Sequence, residues 1–136
     1  MTRLATAAAP ASLDWISLAE EASGALAALL ADATAAVRAR VVSDGRVSSA
    51  LVEVEQHACH GLAWLGTYAE SVRELAAYGR RLQAEGRYGE TEELLIAIGV
   101  GEYCAQVFGG IPMSQGEIVR LPALGLASSV IAARRI

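Results

Sequence analysis

The sequence has no lysine and no asparagine, and all eleven of its basic residues are arginine. Proline occurs only at positions 10, 112 and 122, so residues 11–111 contain none. No helix in that stretch is forced to break by a missing N–H and a ring clash. Aromatic residues make up 5% of the chain, too few to fill a core, so each one reads as an anchor. Basic runs are missing as well: Arg80, Arg81 and Arg87 form the densest cluster within a net charge of −4. Nucleic acid rewards a positive stripe, and none is present, so it is not an expected partner. Two cysteines, Cys59 and Cys104, cannot make a disulfide scaffold. In apolar helical surroundings they read as reduced core thiols of a cytoplasmic protein, unless the fold brings them together. Residues 1–11 lack the long leucine-rich run of a signal peptide and read as a flexible tail.

What the chain has in abundance is alanine, 28 residues of 136, within an apolar fraction of 54%. Alanine is the best helix former and the smallest core side chain, which favours closely packed helices. The length suits one domain with one core. A first helix is expected from about Ser12 to Val42, with Ser12 as N-cap and Asp14 in the first turn, where negative charge suits the helix dipole. Ile16, Ala19, Ser23, Leu26, Leu30, Ala33, Val37 and Val41 recur at steps of three and four along it. Ser43-Asp44-Gly45 reads as a C-cap and turn.

A second helix is expected from about Ser49 to Glu85, with a nearly heptad stripe from Leu51 through Leu65 and Val72 to Leu82. At about 1.5 Å per residue it would be roughly 55 Å long and would need a long partner. A third helix is expected over Glu90–Phe108, opened by Glu90, Glu92 and Glu93. Its apolar run, Leu94 to Ile111, is interrupted by glycines, Glu102 and Gln106, and reads as a buried helix rather than a membrane span. Gly99 and Gly101 within it suggest close helix contacts. Gly109-Gly110-Ile111-Pro112 should end it. Ser114-Gln115-Gly116-Glu117 has the spacing of a capping box, which predicts a short fourth helix stopping near Pro122. The expected architecture is all-α: an antiparallel bundle of three long helices plus a short C-terminal helix or turn, over residues 12–122. Residues 123–136 read as a tail, either a weak helix or an unanchored end.

No constellation of residues carries catalysis. Glu53, Glu55, His57, Cys59 and His60 cluster on the second helix, but the Glu-x-x-His pair of a di-iron bundle is absent. A zinc site would need four ligands, and no further histidine or CxxC exists to complete one. Cys59 and His60 are sequential, so on a helix they point about 100° apart rather than converging. Gly99-Val100-Gly101 lacks the spacing and preceding strand of a dinucleotide loop. No catalytic, metal or cofactor-binding residue is therefore assigned. The polar and aromatic residues read instead as a candidate interface. On the second helix these are His57, His60, Trp64 and Tyr68, the last two sharing a face; on the third, Glu102 and Tyr103. The segment Gly109–Arg120, GGIPMSQGEIVR, adds Ser114, Gln115, Glu117 and Arg120. Ligand binding through His57, His60 and Glu102 is a weaker alternative.

Three stretches carry a family resemblance: HACHGLAWL (57–65), GVGEY (99–103) and GGIPMSQGEIVR (109–120). Together they resemble the N-terminal helical extension of the (2S)-methylsuccinyl-CoA dehydrogenases, a branch of the acyl-CoA dehydrogenase family. The likeness covers about residues 12–122. It implies a parent flavoprotein of the ethylmalonyl-CoA pathway, in which a carboxylate removes the α-proton of the acyl-CoA and FAD accepts the β-hydride. In that family the flavin domain and the catalytic glutamate lie downstream, so the resemblance implies no cofactor in this chain and FAD in the full-length enzyme. It also implies that residues 123–136 lead toward a core this chain lacks. The expected partner is that dehydrogenase core or a second copy of the chain, with no nucleic acid and no membrane. The Gly-rich third helix is the expected docking face, because the apolar surface exceeds what three helices can bury among themselves. A self-associating helical module without catalytic role is the competing reading.

Overall fold

A computed structural model describes residues 13–135, so the expected tail at 1–11 and the expected cap at Ser12 lie outside the described residues. The element order is α1 (Trp15–Val41), β1 (Val42–Ser43), β2 (Arg46–Val47), α2 (Ser49–Val54), α3 (Gln56–Ala84), α4 (Glu90–Gly109), β3 (Ile111–Ser114), β4 (Glu117–Val119), a 3₁₀ turn (Leu121–Leu124) and α5 (Ser128–Arg134). The expected all-α bundle of three long helices is present in α1, α3 and α4, whereas α5 lies in the stretch read as a tail.

The N-cap of α1 is Asp14 rather than Ser12, and its carboxylate accepts from the Ser17 backbone N–H at 3.1 Å and from the Ser17 hydroxyl at 2.6 Å. Those bonds hold the Asp14 carboxyl below its ordinary range. The buried face of α1 is Ile16, Ala19, Ala22, Leu26, Leu29, Ala33, Val37 and Val41. Two members of the expected stripe, Ser23 and Leu30, thus yield to their neighbours Ala22 and Leu29. By length and composition α1 could cross a bilayer, with a mean hydropathy of 1.2. In this fold its apolar stripe is the wall of the core.

Ser43–Gly45 is more than a cap. Val42 pairs with Val47 and Ser43 with Arg46 in a small hairpin. Its two turn residues, Asp44 and Gly45, have φ of 51° and 76°, the positive pair that a type I′ turn requires. The single long second helix is interrupted at Glu55, whose φ and ψ of −98° and 23° separate α2 from α3. The break reorients the first turns, so Val54, placed on the expected stripe, is 79% exposed.

Side-chain pairings fix the helix directions. Glu20 on α1 meets Arg80 on α3, and Leu30 lies beside Gly66, so α1 and α3 run antiparallel. On α3 and α4, Gly79 faces Ile96, Leu75 faces Gly99 and Tyr68 bonds Gln106, again antiparallel. Gly79 is where all three helices meet: a Cβ there would lie 2.5 Å from Ile96 Cδ1 and 3.1 Å from Ile16 Cγ1. Gly99 is likewise a close contact, but Gly101 has nothing near it and faces solvent, against expectation. Leu26, Leu29, Leu65, Val72 and Ile96 form the fully buried centre. Enclosing each such side chain contributes about 1.5–3 kcal/mol.

The third long helix is not the buried helix its apolarity suggested. Only Ile96, Val100 and Val107 are buried, whereas Leu94, Leu95 and Ile98 are exposed. The bundle covers one side of α4 and leaves the other bare.

The predicted capping box does not start a helix. Residues 111–119 form an antiparallel hairpin, Ile111 opposite Val119 and Ser114 opposite Glu117, with Gln115-Gly116 at the turn. Ile111 and Met113 point inward while Pro112 and Ser114 point out, the period of a strand. Gly110 makes the entry possible with φ 134°, where a Cβ would meet Ile118 Cγ2 at 2.7 Å. The segment after it is anchored rather than loose: Leu121, Leu124 and Leu126 are buried, and Arg134 on α5 donates to Asp32 on α1 at 3.2 Å.

Candidate functional site

The interface candidates fall into two assemblies on α3. The first is an aromatic ladder. His60, Trp64 and Tyr68 are spaced four residues apart and stack up one side of the helix, as one-turn neighbours do. Ring centroids are 6.4 Å apart for His60–Trp64 and 6.1 Å for Trp64–Tyr68, the latter edge-to-face. Tyr103 on α4 continues the ladder at 5.0 Å from Tyr68. Trp64 Nε1–H donates to His60 Nε2 at 3.0 Å, and the Tyr68 hydroxyl donates to Gln106 Oε1 at 2.7 Å. Burial pushes the Tyr68 hydroxyl pKa up, and the neighbouring Tyr103 adds to the effect. The ladder thus runs from an exposed imidazole to a buried phenol, tying α3 to α4.

The second assembly fastens the β3–β4 hairpin to α3. His57 Nδ1 lies 3.2 Å from Glu117 Oε1, with both side chains nearly half exposed. Behind the pair, Val119 packs on Gly61, where a Cβ would approach the valine methyl carbons to 2.5 and 2.8 Å. The absence of a side chain at Gly61 is what lets the strand lie against the helix. Ser114 and Gln115 stand exposed at the hairpin's far end, and Arg120 is exposed as the strand leaves.

His57, His60 and Glu102 do not come together. Each histidine has its own partner, and Glu102 stands exposed on α4. Among the described residues no three His, Cys, Asp or Glu side chains are grouped to hold a metal ion. Both cysteines are free and half-buried, and burial raises the Cys104 thiol pKa, which makes it a poor nucleophile.

Sequence reasoning missed Arg40. It donates to Glu55 at the α2–α3 break at 3.2 Å and to the carbonyl oxygen of Ala123 at 3.1 Å. One guanidinium thereby joins α1, the break and the 3₁₀ turn. The only sequence signal was a cation in the last turn of a helix, which the helix dipole already explains. Gln106 was missed for a different reason: in an apolar run it looked like an interruption, yet it satisfies a buried hydroxyl.

Two grooves flank α3. One, of about 550 Å³, lies against α1 over Ala76, Ala77 and Ala84, rimmed by Arg73, Arg80 and Glu20. Two of its arginines are committed, Arg80 to Glu20 and Arg73 to Glu70 and Glu74, while Arg81 also lines it. The other, of about 430 Å³, lies against α4 over Leu75 and Gly99, between Tyr78 and Tyr103. Neither brings a nucleophile within reach of a base.

No family model matches the chain. It is 48% identical over 113 residues to the (2S)-methylsuccinyl-CoA dehydrogenase of Cereibacter sphaeroides. The match takes in 83% of this chain and 21% of that protein, so the chain spans about a fifth of the relative's length. The resemblance carried by the three motifs is thereby borne out, and the chain is related to part of an acyl-CoA dehydrogenase.

Proposed function

We propose that this chain, akin to a fifth of a methylsuccinyl-CoA dehydrogenase, is a helical accessory domain of such an enzyme. It is non-catalytic by itself and packs on the dehydrogenase core or at a subunit interface. The identity of 48% across 83% of the chain carries this reading. Two features of the molecule support it. His57, His60, Trp64, Tyr68 and Glu117 make bonds within the bundle, and the other polar candidates do not converge with them on a point where a substrate could react. The bare apolar side of α4 calls for a partner surface.

The parent reaction in this reading is the oxidation of (2S)-methylsuccinyl-CoA to mesaconyl-CoA, with FAD as hydride acceptor on the core. Gly99 and Gly101 lie within α4, so their N–H groups are spent on helical hydrogen bonds and cannot cradle a pyrophosphate. The domain contributes packing, and the flavin chemistry belongs to the rest of the enzyme. A cytoplasmic setting without nucleic acid or membrane partner goes with this role, and the net charge of −4 is consistent with it.

The test is to mix the purified chain with a methylsuccinyl-CoA dehydrogenase from which the matching segment has been removed. Light scattering reads complex formation, and dehydrogenase activity and thermal stability read its consequence. A stoichiometric complex with raised activity or melting temperature is expected. A folded chain that ignores the shortened enzyme would sink the proposal.

A further inference from the structure

α4 carries two apolar seams. The inner one, Ile96, Val100 and Val107, is buried in the bundle. The outer one, Leu94, Ile98, Gly101 and Ala105, advances by four, three and four residues, and all four positions are exposed. That advance is the spacing of a helix-pairing seam. A helix that is apolar on opposite sides is normally enclosed on both, yet Ile98 is 62% exposed and Leu94 53%.

The order of residues along the outer seam identifies what covers it. The large side chains occupy its N-terminal half and the small ones its C-terminal half. A second α4 laid antiparallel sets Leu94 against Ala105 of the other copy and Ile98 against Gly101, so every large side chain meets a small one. Space is open at Gly101, where a Cβ would find nothing within 4 Å. A parallel second copy would instead set Ile98 on Ile98 and leave the glycines facing each other.

The charges agree with the sizes. α4 contains no basic residue, so Glu102, which flanks the seam, has no counter-ion on its own helix. Arg81 on α3 stands beside the N-terminal half of α4, by the register that sets Gly79 against Ile96 and Leu75 against Gly99. Its guanidinium lies 5.6 Å from the Tyr78 ring centroid. The antiparallel arrangement carries the other copy's Glu102 to that same end, where Arg81 can meet it.

We infer that the outer face of α4 is a two-fold contact between two copies of this chain, seated by Leu94 on Ala105 and Ile98 on Gly101 and flanked by Arg81 with Glu102. Such a contact is isologous and closes on itself, which limits the assembly to a pair. It does not depend on the dehydrogenase reading.

Light scattering of the 136-residue chain over a dilution series tests it. The expected mass is twice the 14.2 kDa of one chain. Ile98→Glu and Gly101→Leu should each return the mass of a single chain with helicity unchanged, because both positions are exposed. Gly101→Leu is the sharper variant, since it favours the helix itself and spoils only the close approach. Arg81→Glu should weaken the pair about fivefold, and adding Glu102→Arg should restore it. A wild-type chain that stays single at every soluble concentration overturns the inference, as does a pair that survives Ile98→Glu or Gly101→Leu. A single chain that instead binds the shortened dehydrogenase through Ile98 also overturns it, and leaves the accessory-domain proposal standing. A pair that ignores the shortened enzyme does the reverse.

Discussion

The indole N–H of Trp64 donates to Nε2 of His60 one helical turn earlier. That bond draws on the lone pair of Nε2. His60→Ala hands the indole to water at an exposed site, and the loss of stability should be no more than about 1 kcal/mol. The Trp64 indole resonance should move in NMR while those of Tyr68 and Tyr103 hold still. Equal movement at Tyr103 would show that the ladder shifts as one body.

Gly79 and Gly24 should respond oppositely to a side chain. At the three-helix junction, Gly79→Val forces methyl groups into Ile96 and Ile16 and is expected to cost about 1–3 kcal/mol. Gly24 sits in α1 with nothing near it, so Gly24→Ala should gain up to about 1 kcal/mol from helix propensity. Urea midpoints that move apart with unchanged slopes would bear this out. A tolerated valine at Gly79 would mean that the helices stand further apart than described.

Arg40 holds the lower end of the bundle. Arg40→Ala leaves Glu55 and the Ala123 carbonyl without their shared donor and is expected to cost about 1.5–3 kcal/mol. Hydrogen exchange should report the loss first over the 3₁₀ turn and α5, ahead of the α1–α3 core. Uniform loss of protection would argue that Arg40 supports the whole fold evenly.

Asp14 should make α1 acid-sensitive. Its carboxyl titrates below the ordinary 3.8 because Ser17 bonds the charged form. A depressed folded pKa stabilises the protein above the unfolded value, and that contribution is lost as the pH falls through the folded one. Asp14→Asn keeps a capping oxygen but cannot ionise. The wild type should therefore melt above the variant at neutral pH, and the gap should close as the pH falls below about 3.8. A gap that is independent of pH would assign the effect to cap geometry alone.

The helical framework was legible because Leu26, Ala33, Leu65 and Val72 keep strict three- and four-residue spacing, and only a helix uses that spacing. The hairpin at 111–119 was not. Ser114-x-x-Glu117 satisfies the capping-box pattern as well as a turn does, and a strand of three or four residues is too short for alternation to outweigh it. Burial of Ile111, Met113 and Val119 against α3 decides the matter, and that is a tertiary effect. The break at Glu55 was hidden for a similar reason: no proline or glycine marks it, and the side chain that meets it, Arg40, is fifteen residues away. The outer seam of α4 was visible as apolarity but not as exposure, because composition does not reveal which side the neighbours take. At the candidate site, Trp64 with Tyr68 could be read from spacing, whereas His57 with Glu117 joins residues 60 apart and could not.

Arg134 reaches Asp32 across 102 residues of chain. The α1–α3 contact of Glu20 with Arg80 closes a loop of 60 residues, shorter than the one α5 closes. Docking α5 closes the longest loop, and the entropy cost of doing so grows with the logarithm of its length. Its fastening combines Val130 and Ile131, packed against the core, with an ion pair whose side chains are both more than a third exposed, weak and salt-sensitive. That ion pair is therefore the part of the α5 contact that salt loosens first.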